Sequence, residues 1–471
     1  MRNLTRMLQA VVHGKPARHT VRKIIVLKDR KSFNVCVREL KKQGIVPLKQ
    51  VKSAFMLCCH VHPHAKLAEL MKHPSIRRIE NDARVRAHAV GRGRCSSSTT
   101  RQRSSKRNHS TAKGQTASMQ QIPWGVKRIQ APKAWPETRG KGIRIAIVDT
   151  GISPHPDLRI SGGINTIRPG ASYDDDNGHG THVAGTAAAL GRGHLLYGTA
   201  PEAELYAVKA LDEKGEGYVS DIVEGVEWCI RNRMDVINLS LGLNGPSKML
   251  RNTIRRAHRQ GIVIVASAGN NGKDAEAIDE PAIYPEVIAV AATDRLDCIA
   301  SFSSRGLGID VAAPGADICS TSYKGGFAED SGTSMAAPHV SGTAGLMLAA
   351  CPGMLPEQLR CALVHTSQRL SGEPVTAQGA GLINTQKAVA YTAKAKHHAD
   401  ESANLVLPVA FTAGRPVKKK LTPSRQPAPS AAAAGLPGAC RKAATAVPSK
   451  QRSANLSRNS IQHRLNKPRR R

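Results

Sequence analysis

Ser334 stands in the run Ser331-Gly332-Thr333-Ser334-Met335-Ala336-Ala337-Pro338-His339-Val340, between a glycine turn and a small apolar stretch ending at Ala350. At the first turn of a buried helix, free N–H groups and the positive end of the helix dipole favour a developing oxyanion. The setting suits a nucleophile, and it equally suits a serine that only caps a core helix. Asp149 follows directly on the apolar run Ile143–Val148, which would fix its carboxylate at the end of a rigid strand, although an aspartate there is commonly a turn residue. His179 lies in Asp176-Asn177-Gly178-His179-Gly180-Thr181-His182, ahead of a small-residue run that reads as a buried helix. A neutral imidazole there could take the hydroxyl proton of Ser334 while Asp149 orients it through its other nitrogen. The alternatives for His179 are a packed or capping residue, or a metal pair with His182 that lacks the glutamate of an H-E-x-x-H site. Asn270 ends Ala266-Ser267-Ala268-Gly269-Asn270 and could donate its amide to the oxyanion, while Asn270-Asn271-Gly272 alone reads as a turn. Each residue has an ordinary explanation alone. In the order Asp, His, Asn, Ser they supply an orienter, a base, an oxyanion donor and a nucleophile.

Such residues need a scaffold that brings distant segments together. From Trp124 to about Ala390, apolar strands (Ile143–Val148, Glu204–Leu211, Val236–Leu241, Ile262–Ala266, Val287–Ala292) alternate with helix-length segments (Tyr218–Asn232, Lys248–Gln260, Met335–Ala350, Pro356–Thr366). That pattern predicts an α/β fold, a mostly parallel sheet with helices on both faces, whose ligands gather at the carboxyl ends of the strands. Asp149 and Asn270 fall at such ends. Ahead of it, residues 22–89 read as a small α+β module, with strands at Lys23–Leu27, Phe55–Val61 and Ile76–Ala87 and helices at Ser32–Gln43 and Ala65–Lys72. The predicted organisation is a 1–21 extension, the 22–89 module, a basic linker at 90–117, a catalytic domain at 118–392 and an Ala/Pro-rich basic tail at 393–471. The linker and tail hold too few large apolar residues to order themselves, and the linker is a natural place for cutting.

The net charge of +34 suggests a polyanion binder. Residues 116–390, however, sum to about −3, so the excess belongs to the flanks. Aromatic content of 3% leaves little for a base-stacking surface, so nucleic acid is not an expected partner. No apolar stretch reaches 18 residues and Met1–Arg22 lacks a signal-peptide core, which predicts no membrane span and favours a cytoplasmic location, with an extracellular one as the alternative. Ten cysteines without paired metal-ligand spacing read as reduced thiols.

The segments around Asp149, His179, Asn270 and Ser334 resemble the subtilisin-like serine proteases. So do Gly198-Thr199-Ala200-Pro201, Leu205-Tyr206-Ala207-Val208-Lys209, Gly225-Val226-Glu227-Trp228, Ile237-Asn238-Leu239-Ser240-Leu241-Gly242, Ala300-Ser301-Phe302-Ser303-Ser304 and Ala313-Pro314-Gly315. The resemblance covers about residues 118–390, and 22–89 is similar to the family's inhibitory propeptide, with an end like Ile79-Glu80-Asn81-Asp82. It implies a serine endopeptidase made as a self-processing zymogen, with Asp149 as orienter, His179 as general base and acid, Ser334 as nucleophile and Asn270 as oxyanion donor. It further implies Ser240-Leu241-Gly242 as an edge strand for the substrate backbone. Leu211, Val219 and Ile222 would line an apolar subsite or simply belong to the core. Asp279 would lie at the floor of the primary specificity pocket, giving a preference for Lys or Arg before the scissile bond. Catalysis would need no cofactor. The implied partners are protein or peptide substrates and the chain's own propeptide as an intramolecular inhibitor, in a monomer. Family members hold a structural calcium through positions matched here by Gln120 and Asp157, but Arg192 stands where an Asn ligand would be, and a cation there opposes calcium. The cut that frees the propeptide is expected between about Ala87 and Ser118, where Arg92, Arg94, Arg101, Arg103, Lys106 and Arg107 would suit a basic-specific pocket.

Two other readings compete. Asp149-Thr150-Gly151 and Asp330-Ser331-Gly332 are the short signatures of an aspartic protease, which would require an all-β, two-lobed fold. Alternatively, the chain is a basic interaction protein whose tail binds polyanions, with a steep salt dependence as its signature.

Overall fold

A computed structural model describes residues 2–13, 19–62, 65–88, 91–93, 122–192, 196–243, 245–274 and 277–404. The linker arginines after Arg92, Gln120 and the tail beyond Asn404 lie outside them.

The N-terminal part runs α1 (Arg2–Val11), β1 (Val12–His13), β2 (Val21–Leu27), α2 (Arg30–Lys42), β3 (Lys49–Val51), β4 (Met56–Val61), α3 (Leu67–Met71), β5 (Ile76–Asn81), β6 (Arg84–Ala87) and β7 (Gly91–Gly93). Strands β1-β4-β2-β5, with β3 on β4, form an antiparallel sheet. Alternation across β2 and β4 explains their unbroken apolar runs. Ile25, Leu27, Leu57 and Cys59 meet Phe33, Leu40 and Leu70 of the helices, while Ile24, Val26 and Met56 face away and pack with the second, larger part of the chain.

Two expectations need correction here. Residues 1–21 are not a bare extension, because Leu4, Leu8, Val11 and Val12 are buried in the same small core. Nor is Ile76–Ala87 one strand. The chain breaks at Asp82, whose buried carboxylate turns to Ser220 of the second part, and β6 leaves the sheet altogether.

The second part contains α4 (Trp124–Arg128), α5 (Ala131–Ala134), β8 (Arg144–Asp149), β9 (Ile160–Asn165), α6 (His179–Ala188), β10 (Glu204–Lys209), β11 (Glu216–Tyr218), α7 (Val219–Arg231), β12 (Val236–Leu239), β13 (Leu241–Gly242) and α8 (Lys248–Arg259). It continues through β14 (Val263–Ser267), β15 (Ile288–Thr293), β16 (Val311–Pro314), β17 (Ile318–Thr321), β18 (Phe327–Ser331), α9 (Thr333–Ala350), α10 (Pro356–Thr366), α11 (Val375–Gln378) and α12 (Thr385–Asn404). Helical backbone thus continues past residue 392, where the tail was expected to begin.

Seven parallel strands in the order β16-β15-β14-β12-β8-β10-β9 form the central sheet. Helices cover both faces, so the predicted α/β architecture holds and the two-lobed β alternative is excluded. On one face Val183, Ala184, Ala187, Met335, Ala336, Val340 and Ala344 of α6 and α9 fill the core. On the other, Ile222, Val226, Leu250 and Ile254 of α7 and α8 do so. Residues 333–348 of α9 are all buried, which its small side chains permit. The strand order turns about β8, whose neighbours β10 and β12 both follow it in sequence, and Asp149 sits at that switch point.

Candidate active site

Asp149 is the last residue of β8 and His179 the first of α6. Their side chains are essentially inaccessible, and Nδ1 of His179 is 2.7 Å from Oδ1 of Asp149. A proton on Nδ1 facing that carboxylate makes Nε2 the basic nitrogen. The approach is close because position 180 is glycine, where a Cβ would come within 2.2 Å of the Gly151 carbonyl oxygen.

Asp175, which carried no role in the sequence reading, holds this corner. It accepts from Thr150 Oγ1 (2.8 Å), the Gly178 N–H (2.7 Å), the Thr181 N–H (2.9 Å) and Thr181 Oγ1 (2.7 Å), tying the end of β8 to the start of α6. His182 is a packed residue, with Nε2 against the carbonyls of Ile318 and Ala328. No group of three metal-ligating side chains occurs among the described residues.

Ser334 is buried in the first turn of α9, and its Oγ donates to the Ser240 carbonyl at 2.9 Å. Asn270, after β14, accepts from the Thr333 N–H (3.0 Å) and Thr333 Oγ1 (2.9 Å) through Oδ1. That fixes the amide, and its Nδ2 is buried with no hydrogen-bond partner among the described residues. A buried, unpaired donor costs about 1–3 kcal/mol, and this one lies beside the helix N-terminus that carries Ser334.

The remaining candidates lie along two walls. Ser240 precedes β13, the short strand Leu241–Gly242, which pairs antiparallel with β6. Leu211, Val219 and Ile222 are fully buried in the core shared with Val85 of β6. Asp279 accepts from Asn271 Nδ2 at 2.9 Å, and its other oxygen is 2.8 Å from Nε2 of His88. Asp330 is buried in β18, in a different part of the fold from β8.

Of the two calcium positions, Gln120 lies outside the described residues and Asp157 is buried. Both oxygens of buried Asp157 accept backbone N–H groups, from Arg192 (2.9 Å) and Leu196 (3.0 Å). Burial pushes this carboxyl's pKa up while those bonds pull it down.

The expectation of reduced thiols fails at one position. Cys319 is disulfide-bonded, whereas Cys36, Cys58, Cys59, Cys229, Cys298 and Cys351 are free thiols. Burial pushes the Cys36 and Cys59 thiols up to about 12, which leaves them unreactive.

A nucleophile candidate on a helix N-terminus, an Asp-His couple and an oxyanion-donor candidate, set on a seven-stranded parallel sheet, make the pattern of a subtilisin-type serine hydrolase. The model of the subtilase family of peptidases matches residues 140–382, and the chain belongs to that family. It is 44% identical to subtilisin BL of Lederbergia lenta over 270 residues, 57% of this chain and 99% of that protein. It is equally 44% identical to an alkaline protease of Shouchella clausii over 274 residues, 58% of this chain and 71% of the relative. The minor extracellular protease Epr of Bacillus subtilis matches at 44% over 238 residues, 50% of this chain and 37% of Epr. The chain is a serine endopeptidase, and its substrates are proteins. No described helix is long and apolar enough to cross a membrane.

Proposed function

We propose that Ser334 is the nucleophile, His179 the general base and acid, Asp149 its orienter and Asn270 the oxyanion donor. The observation that carries this reading is the buried, unpaired Nδ2 of Asn270 beside the α9 N-terminus. Nε2 of His179 takes the proton as Ser334 Oγ leaves its bond to the Ser240 carbonyl and attacks the peptide carbon. The oxyanion is met by Asn270 Nδ2 and the Ser334 N–H, and the proton passes to the departing amine. Water, deprotonated by the same nitrogen, then hydrolyses the ester and restores Ser334. Ser334→Ala is expected to abolish cleavage of casein and labelling by a fluorophosphonate; labelling that persists in the folded variant would reject the assignment.

We also infer that residues 22–89 act as an intramolecular inhibitor. Supporting this, Asp82 accepts from the Ser220 N–H at 2.8 Å in the first turn of α7, and Glu80 accepts from Ser247 Oγ at 2.7 Å and the Met249 N–H at 3.1 Å at the start of α8. Lys49 adds a buried pair with Asp221 at 3.0 Å. The strong calcium site of the family is, in this reading, absent or weakened. Chelation should leave the melting temperature unchanged, and a drop restored by calcium would refute it.

A further inference from the structure

Strand β6 lies between β11 and β13 as a peptide substrate would. Val85 pairs with Gly217, Arg86 with Glu216 and Gly242, and Ala87 with Leu241. Its side chains alternate accordingly: Val85 is buried with Leu211, Val219 and Ile222, while exposed Arg86 pairs with Glu216 at 3.0 Å. The next residue, His88, donates its N–H to the Ser240 carbonyl at 3.4 Å. Its ring is buried, with Nδ1 2.7 Å from Ser267 Oγ and Nε2 2.8 Å from Asp279 Oδ2. Gly242 forms the wall against which the ring lies, since a Cβ there would fall 2.1 Å from Nε2.

The His88 carbonyl is the decisive atom. A Cβ placed on Gly332 would be 2.4 Å from that oxygen and 3.2 Å from Asn270 Nδ2, so the oxygen and the unpaired amide flank one small space two residues before Ser334. Beyond it, β7 pairs antiparallel with β18, Gly91 opposite Ser331 and Gly93 opposite Glu329. The chain is therefore held in extended pairing on both sides of Ser334.

We propose that the bond on the carboxyl side of His88, His88–Ala89, is the one this enzyme cuts to free its own N-terminal module. The pocket of Asp279, Ser267 and Gly242 selects histidine before the cut. The proposal rests on the assignment of Ser334. Ser334 Oγ bonds to the His88 carbonyl carbon, the bond to the Ala89 nitrogen breaks, and that nitrogen leaves with the proton carried by His179. Water then releases the His88 carboxylate. The pocket meets both ring nitrogens with polar atoms, a match that leucine cannot make and that lysine or arginine makes through one terminal group. Arg92 and the linker arginines thus do not mark the first cut, and the Lys or Arg preference expected from Asp279 becomes a preference for histidine.

The test uses the full chain. Intact mass of the released N-terminal fragment is expected to show His88 as its last residue in wild type, with no fragment from Ser334→Ala. A fragment ending elsewhere, in a preparation whose casein cleavage depends on Ser334, overturns the bond assignment and leaves the site reading standing. Absence of any Ser334-dependent cleavage removes the reading beneath it. In the peptides Arg-Val-Arg-Ala-X-Ala, kcat/KM for X = His should exceed that for Leu by about tenfold, the scale of one hydrogen bond to a charged group. Asp279→Asn should collapse that ratio, with the Leu peptide correcting for the folded fraction. A ratio unchanged in Asp279→Asn, or Lys or Arg cut faster than His in wild type, overturns the pocket assignment.

Discussion

Asn270 shows how little freedom the proposed catalytic residues have. Its Oδ1 is committed to Thr333 through two bonds, so its Nδ2 can point only into the site. Asn270→Ala should therefore lower kcat by roughly 10²–10³ with KM little changed, the size being that known for subtilisin's own oxyanion asparagine and carried over through the family. Initial-rate kinetics on one peptide would check it, and a fall confined to KM would contradict it. The places of Asp149, His179 and Ser334 at a strand end or a helix start, and of Asn270 shortly after β14, were legible in the sequence because the patterns of those elements could be read. Asp175 and His88 were not. Asp175 looks like one of three consecutive aspartates, and the role of His88 depends on Ser267, 179 residues away, which no local pattern records.

At the scale of elements, the site is assembled by helix starts and strand ends, and the N-terminal module, in its proposed inhibitory role, exploits the same physics. Its Asp82 and Glu80 carboxylates meet the N–H groups that α7 and α8 leave unpaired at their first turns, where the dipole also favours a negative charge. Asp82 is further held by Arg22 at 2.8 Å, whose guanidinium lies 3.5 Å over the Tyr218 ring. Each cap is worth about 1 kcal/mol, so Glu80→Ala with Asp82→Ala in the released fragment should raise its inhibition constant against mature enzyme by about tenfold or more. An unchanged constant in a titration with a chromogenic peptide would show that β6 alone carries inhibition. Five of the seven sheet strands and helices α7 to α10 were readable within a residue or two, because buried parallel strands keep continuous apolar runs and amphipathic helices keep their period, whereas β9 and β16 gave no such run long enough to name. The break of Ile76–Ala87 into β5 and β6 was not, since β6 owes its place to β11 and β13, over a hundred residues downstream, and not to its own sheet.

For the whole molecule, the central helix α9 ties the start of the catalytic part to the sheet, and His339 is the joint. Its Nδ1 donates to the Met335 carbonyl at 2.9 Å, and its Nε2 lies against Gly125 of α4, where a Cβ would come within 2.6 Å. Complete burial pushes its pKa down to about 4 from 6.5. The folded protein therefore holds this imidazole neutral while the unfolded chain binds a proton between those two values. Its contribution to stability is complete above pH 6.5 and is lost as the pH falls towards 4, at about 1.4 kcal/mol per unit. Urea unfolding in a Ser334→Ala background, which prevents self-digestion, isolates the effect. Going from pH 7 to pH 5, His339→Leu should lose about 2 kcal/mol less than the parent, because every other titrating group is common to both chains. Equal losses in the two proteins would mean that some other buried group sets the acid limit of this fold.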